Sequence, residues 1–147
     1  MSDDVLTLSQ VKVPGTARTK DDAIREAGGI LVDAGAVSSD YIDAMFEREK
    51  SVSTYMGNFL AIPHGTNESK GTIKRSALSV IRYDEPIDWD GNEVRFALGI
   101  AGYEGGHMDI LSRVAILFSD EDEVDKLIAA GSAEEMYELL NAVNEDD

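Results

Sequence analysis

GNFLAIPHGT, residues Gly57 to Thr66, sets the apolar run Phe59–Ile62 directly before a proline, a histidine and a glycine. Consecutive apolar residues bounded in this way read as a strand buried on both faces, as a central strand is, and such a strand needs a layer of cover above and below. The chain has only two histidines, and His64 stands at the tip of this run. Pro63 restricts the backbone in front of it, and Gly65 lets other groups approach closely behind. A side chain held in this way is presented by a platform.

Outward from this stretch, strands and helices alternate. On the C-terminal side NESKGTIKR reads as a loop or short helical turn. SALSVIRY (Ser76–Tyr83) and EVRFALGIA (Glu93–Ala101) read as strands, joined by the turn-rich DEPIDWDGN. GYEGG then breaks the chain before a helix that begins near His107, with Leu111, Val114, Ala115 and Phe118 on its apolar face and Ile110 and Leu117 beside them. Two short helices follow, over Glu121–Ala130 and Ser132–Asn144.

On the N-terminal side VLTLSQVKV reads as a first strand or extended arm. Thr19 is placed to cap a helix carrying Ala23, Ile24, Ala27, Ile30, Leu31 and Ala34 at helical spacing, which Gly35 stops. Gly28 and Gly29 inside it point to close packing, since glycine there costs ~1 kcal/mol against alanine. A second helix runs from the Ser38–Ser39–Asp40 cap to near Lys50, with Tyr41, Ile42, Met45 and Phe46 inward. The pattern is that of an α/β three-layer sandwich, residues 1–147 forming one domain: a mixed, mainly parallel sheet of about five strands covered by helices on both faces.

Composition narrows the function. The 147 residues carry 29 acidic against 13 basic side chains, a formal charge of −16. Nothing in that balance could neutralise a run of phosphates, so nucleic acid is excluded as a partner, and an anionic membrane surface is disfavoured. With no cysteine there is neither a disulfide framework nor a thiolate nucleophile. No signal peptide and no apolar span of ~20 residues is present, which predicts a cytoplasmic protein without membrane insertion. Much of the acidic excess lies in SDEDEVD and the terminal NEDD, so it reads as solvated surface, as adaptation to salt, or as a charge that steers a basic partner.

Three residues could carry chemistry. A histidine can act as a nucleophile, and an imidazole with an ordinary pKa near 6.5 is available at neutral pH; against this, His64 could be a half-exposed polar residue at a strand end. His107 stands where a glycine-rich loop meets a helix N-terminus, a position that favours a bound anion, or it simply begins the helix. Arg48, in the last turn of its helix, either complements the helix dipole or supplies a fork for phosphate. A metal site fits poorly, because two histidines without HxH or HExxH spacing leave zinc short of ligands. No GxSxG, Walker loop or GxGxxG after a strand occurs.

REK (Arg48–Lys50), TYMGNFLAIPHGT and GGHMDILSRVAILFSD (Gly105–Asp120) together resemble the enzyme IIA component of the bacterial phosphoenolpyruvate-dependent sugar phosphotransferase system (PTS). Within it the mannitol/fructose type is the nearest, on the mannitol side. The likeness implies a phosphotransferase component with a phosphohistidine intermediate. His64 would carry the phosphoryl group, received from the phosphocarrier protein HPr and passed to a cysteine of enzyme IIB. Arg48 and His107 would bind the phosphoryl oxygens, with Gly65, Thr66 and Gly106 in the phosphate neighbourhood. No cofactor is implied, and the cysteine-bearing IIB and the membrane IIC would lie on separate chains. The same motif occurs in regulatory, nitrogen-type enzyme IIA proteins, which act as phosphorylation-dependent signalling modules, so that alternative stays open.

Overall fold

The computed structural model describes residues 6–51, 53–57, 59–65, 71, 73–102 and 107–140, with 107–110 followed along the backbone. Among them the chain forms strands β1 (Val11–Lys12), β2 (Tyr55–Gly57), β3 (Leu60–Ala61), β4 (Ala77–Trp89) and β5 (Asn92–Ala101). The helices are α1 (Lys20–Asp33), α2 (Asp40–Ser51), α3 (His107–Phe118), α4 (Glu121–Ala129) and α5 (Ala133–Leu140).

Local signals set the ends of α1 as the sequence predicts, whereas the expected end of the last helix at Asn144 lies outside the described residues. The Thr19 hydroxyl accepts from the Asp22 N–H and caps α1, which ends just before Gly35 at φ +77°. Gly28 is needed where α1 crosses α2, because a Cβ there would stand 2.7 Å from Ile42 and 3.0 Å from the Met45 sulfur. Gly29 has open space.

The five strands form one sheet in the order β1-β4-β5-β3-β2. It is mixed, as expected, but not mainly parallel. β1–β4 and β3–β5 are parallel, whereas β4–β5 and β2–β3 are antiparallel, and β4–β5 is the longest pairing. The cause lies in DEPIDWDGN, which is strand for most of its length. Asp90 (φ +55°) and Gly91 (φ +93°) are the whole turn, and Asp-Gly supplies the two positive φ values a two-residue hairpin requires. An irregularity between Arg82 and Ile87 absorbs Pro86.

Two further expectations change. The stretch before His64 is a pair of short strands near the sheet edge, not one central strand, with Gly57 and Phe59 reversing the chain between them at φ +92° and +67°. The N-terminal arm is a 3₁₀ turn at Leu8–Gln10 followed by the two-residue β1.

Helices cover both faces. Leu78, Val80, Phe96, Leu98 and Ile100 point to one face and pack with Val114, Phe118, Val124, Leu127, Met136 and Leu140 of α3, α4 and α5. Ala77, Ile81, Ala97 and Ala101 point to the other, against Ala23, Ile24, Ala27 and Leu31 of α1 and Tyr41 and Met45 of α2. On α3, Val114 and Phe118 are buried while Ala115 is exposed, so the buried stripe is narrower than the sequence suggests. The second face is built from small residues because α1 lies close to it. A Cβ on Gly99 would come within 3.2 Å of the Ala27 Cβ, and the Ser79 hydroxyl donates to the Ala27 carbonyl at 2.9 Å. No helix among the described residues is long and apolar enough to cross a membrane.

Candidate active site

Pro63, His64 and Gly65 follow β3, and backbone bonds to two neighbours hold them. The Ile62 N–H donates to the Thr54 carbonyl at 3.0 Å, and the Ile100 N–H donates to the Pro63 carbonyl at 3.1 Å. His64 pairs with Ile100 in an isolated parallel bridge, in register with the β3–β5 ladder. His64 therefore stands at the carboxyl ends of two parallel strands, where open α/β sheets place their ligands.

The imidazole is half-buried, with Nδ1 2.8 Å from the Ile62 carbonyl oxygen. A carbonyl can only accept, so Nδ1 carries the proton, and in the neutral ring the lone pair is on Nε2. The ring tautomer is thereby set by the backbone of its own strand.

Helix α2 is tied to this segment at both ends. Near its start, the Tyr41 hydroxyl donates to the Ile100 carbonyl at 2.6 Å and accepts from the Gly65 N–H at 2.9 Å. Burial raises the Tyr41 pKa, only partly offset by the Gly65 N–H, so the phenol keeps the proton it donates. Near its end, the Glu49 carboxylate is 7% exposed and receives three donors. The Thr54 N–H and the Trp89 indole N–H reach Oε2 at 3.1 and 3.0 Å, and the Thr54 hydroxyl reaches Oε1 at 2.5 Å. A buried carboxylate persists only when its lone pairs are satisfied in this way. Arg48, half-buried, lies in the same turn as Glu49.

His107 is the first residue of α3. The other end of that helix is fixed by Phe118, whose ring meets Phe96 of β5 edge-on, with centroids 5.2 Å apart and planes at 73°. Such a pair adds ~0.5–1.5 kcal/mol to the burial itself. From Phe118 back to His107 is roughly 17 Å of helix, and from Phe96 on to Ala101 roughly 17 Å of strand. The start of α3 is thus level with the carboxyl end of β5, at the same end of the sheet as His64. Thr66 and Gly106 lie outside the described residues. No group of three or more His, Cys, Asp or Glu among the described residues is arranged to hold a metal ion.

Residues 4–143 match the family model of the phosphoenolpyruvate-dependent sugar phosphotransferase system, EIIA 2. The chain belongs to that family. Among similar proteins, a mannitol-specific phosphotransferase enzyme IIA component of Halalkalibacterium halodurans is 50% identical over 145 residues, which cover 99% of this EIIA and 100% of that protein. The complex of enzyme IIAMtl with phosphorylated enzyme IIBMtl from Escherichia coli contains a chain that superposes with a TM-score of 0.87 at 31% identity, covering 93% of this chain and 97% of that one. Nitrogen regulatory protein IIA-Ntr from Neisseria meningitidis superposes with a TM-score of 0.79 at 30% identity, over 92% of this chain and 96% of that one. The family resemblance carried by REK, GNFLAIPHGT and the Gly105–Asp120 stretch is confirmed.

Sequence reading names Tyr41 only as an inward helical residue and Glu49 only as part of REK, and gives neither of them, nor Thr54, a place at the site. Tyr41 and Glu49 had a signal: a phenol on an inward helical stripe, and an acid one residue from a proposed phosphate ligand. Both mark buried polar groups that must find partners. The partners themselves, Trp89, Ile100 and Gly65, lie too far along the chain to be read locally.

Proposed function

We propose that this EIIA is a phosphoryl carrier of the mannitol/fructose type, working in the cytoplasm as a single domain. His64 Nε2 attacks the phosphorus of phospho-HPr as the phosphorus–nitrogen bond of the donor breaks. The phosphoryl group then passes to a cysteine thiolate of enzyme IIB, on a chain separate from this one, as is the membrane IIC. Arg48 and His107 bind the phosphoryl oxygens beside the Gly65–Thr66 and Gly106 backbone. Phosphoryl transfer asks mainly for position and charge stabilisation, and these residue types supply both.

The observation that carries this reading is the Nδ1–H bond from His64 to the Ile62 carbonyl, which puts the lone pair of the neutral ring on Nε2. Incubation with phosphoenolpyruvate, enzyme I and HPr should add one phosphate by intact mass, labile in acid and stable in base. His64→Ala should take none. An acid-stable phosphate, or labelling that survives in His64→Ala, would overturn the assignment.

The likeness to IIA-Ntr supports a second reading, a phosphorylation-dependent regulator. The greater identity to mannitol-specific relatives favours the carrier. Rapid transfer from the phosphorylated protein to a mannitol-type IIB cysteine separates the two.

A further inference from the structure

We infer that Glu49 is a positioning residue for the phosphoryl transfer proposed above: through Thr54 it fixes the spacing between the last turn of α2, which carries Arg48, and the backbone that orients the His64 ring. The inference rests on that carrier reading for its kinetic part alone.

The bonds form one continuous path. The Glu49 carboxylate accepts both the N–H and the hydroxyl of Thr54, so the threonine is gripped at two points. The Thr54 carbonyl accepts from the Ile62 N–H. The Ile62 carbonyl accepts from His64 Nδ1. On the far side the indole N–H of Trp89, itself fully buried, holds the carboxylate against the β4–β5 hairpin.

A second route, through Tyr41, fixes the start of α2 to Gly65 and Ile100 and leaves the last turn of the helix to Glu49 alone among these ties. A glutamate here is more than a helix staple. Staples on exposed faces are single ion pairs, whereas this carboxylate is buried, accepts three bonds, and sits next in sequence to a residue proposed to hold phosphate. Loss of it removes the side-chain tie between the last turn of α2 and Thr54, and with it the restraint that reaches the Ile62 carbonyl through the Thr54 backbone.

Glu49→Ala removes the path. Glu49→Gln keeps it, because the amide oxygen can face the Thr54 and Trp89 N–H groups while the amide nitrogen donates to the Thr54 hydroxyl, which can turn to accept. Thr54→Val removes the hydroxyl grip within the same backbone, and Thr54→Ser retains it. The expected result is that Glu49→Ala and Thr54→Val slow transfer from saturating phospho-HPr on the order of 10–10²-fold, as for a small misplacement of reacting groups, with KM nearly unchanged. Glu49→Gln and Thr54→Ser recover most of the rate.

The ring ¹⁵N signals of His64, read without any partner protein, should move from the Nδ1–H tautomer towards Nε2–H in the two damaging variants. That shift tests the path even if no phosphate is ever accepted, so its failure and the failure of the carrier reading are distinguishable. A folded Glu49→Ala or Thr54→Val protein with the wild-type tautomer and wild-type saturated rate would overturn the inference. So would a rate deficit that appears only in KM.

Discussion

His64 owes its setting to two short-range facts and one long-range one. Pro63 has no N–H to continue the ladder, so the chain leaves β3 at that point; the Ile62 carbonyl is then turned to the ring of a residue two positions on. The long-range fact is the Ile100 bridge, which fixes where the ring is presented. Arg48 belongs to the same scale. A planar guanidinium can grip two phosphoryl oxygens at once, whereas a lysine offers a point charge. Arg48→Lys should therefore slow transfer from phospho-HPr to His64 while leaving the melting temperature nearly unchanged. If Arg48→Ala transferred at the wild-type rate, the arginine would be no more than a partner of the helix dipole. The residue types and their order were legible in the chain, and the tautomer of His64 was not, because it depends on where one carbonyl points.

Among the elements, the loop after β1 shows how a single carboxylate can hold a segment. Glu26 of α1 accepts from Lys12 at 2.7 Å, from the Thr16 N–H and hydroxyl, from the Ala17 N–H and from the Tyr83 hydroxyl. Burial alone would raise its pKa, but these donors outweigh it and hold the carboxyl at about 2, against an ordinary 4.5. Burial and the Glu26 charge push the Tyr83 phenol far the other way, so it remains a donor. A depressed carboxyl stabilises the fold above its unfolded pKa and loses that contribution as pH falls through the folded value. Denaturant titrations from pH 7 down to pH 2 should show stability declining below pH 4.5, with a smaller decline in Glu26→Gln, which starts from a lower value. Parallel curves for the two proteins would mean Glu26 is not the group being titrated. The β2–β3 reversal is a second case. Phe59 holds φ at +67°, and its carbonyl accepts from both Arg95 and Phe96. A non-glycine residue there costs ~1–3 kcal/mol, offset by the bonds and packing around it. No local rule assigns that conformation to phenylalanine, so the sequence alone predicts a continuous strand where the chain reverses.

Over the whole molecule, the acidic excess is unevenly spread. Asp120, Glu121, Asp122, Glu123, Asp125, Glu134, Glu135 and Glu138 lie on or beside α4 and α5, most of them exposed, and Lys126 is the sole lysine or arginine of those two helices. Helix α5 packs against β1, the edge strand farthest from β2 and β3, so the charge of that helix stands away from His64. Repulsion within such a surface opposes the compact state and is screened by salt, with a Debye length of ~10 Å at 0.1 M and ~3 Å at 1 M. The melting temperature should rise as KCl is raised from 0.1 to 1 M, and a flat or falling curve would leave the acidic helices without an energetic role. At this scale the sequence by itself determined the helix ends, through Thr19, Gly35 and the apolar spacing, the layering of helices over a sheet, and the family and its presented histidine. These are properties of residues a few positions apart, where caps, turns and periodicity act. The tertiary structure decided which strands pair and in which direction, that a two-residue Asp90–Gly91 turn suffices to make DEPIDWDGN strand, and which groups meet around His64. Those outcomes depend on partners such as Tyr41 with Ile100, 59 positions apart, and Glu49 with Trp89, 40 apart. A buried polar group requires a partner, but only the folded chain supplies its identity.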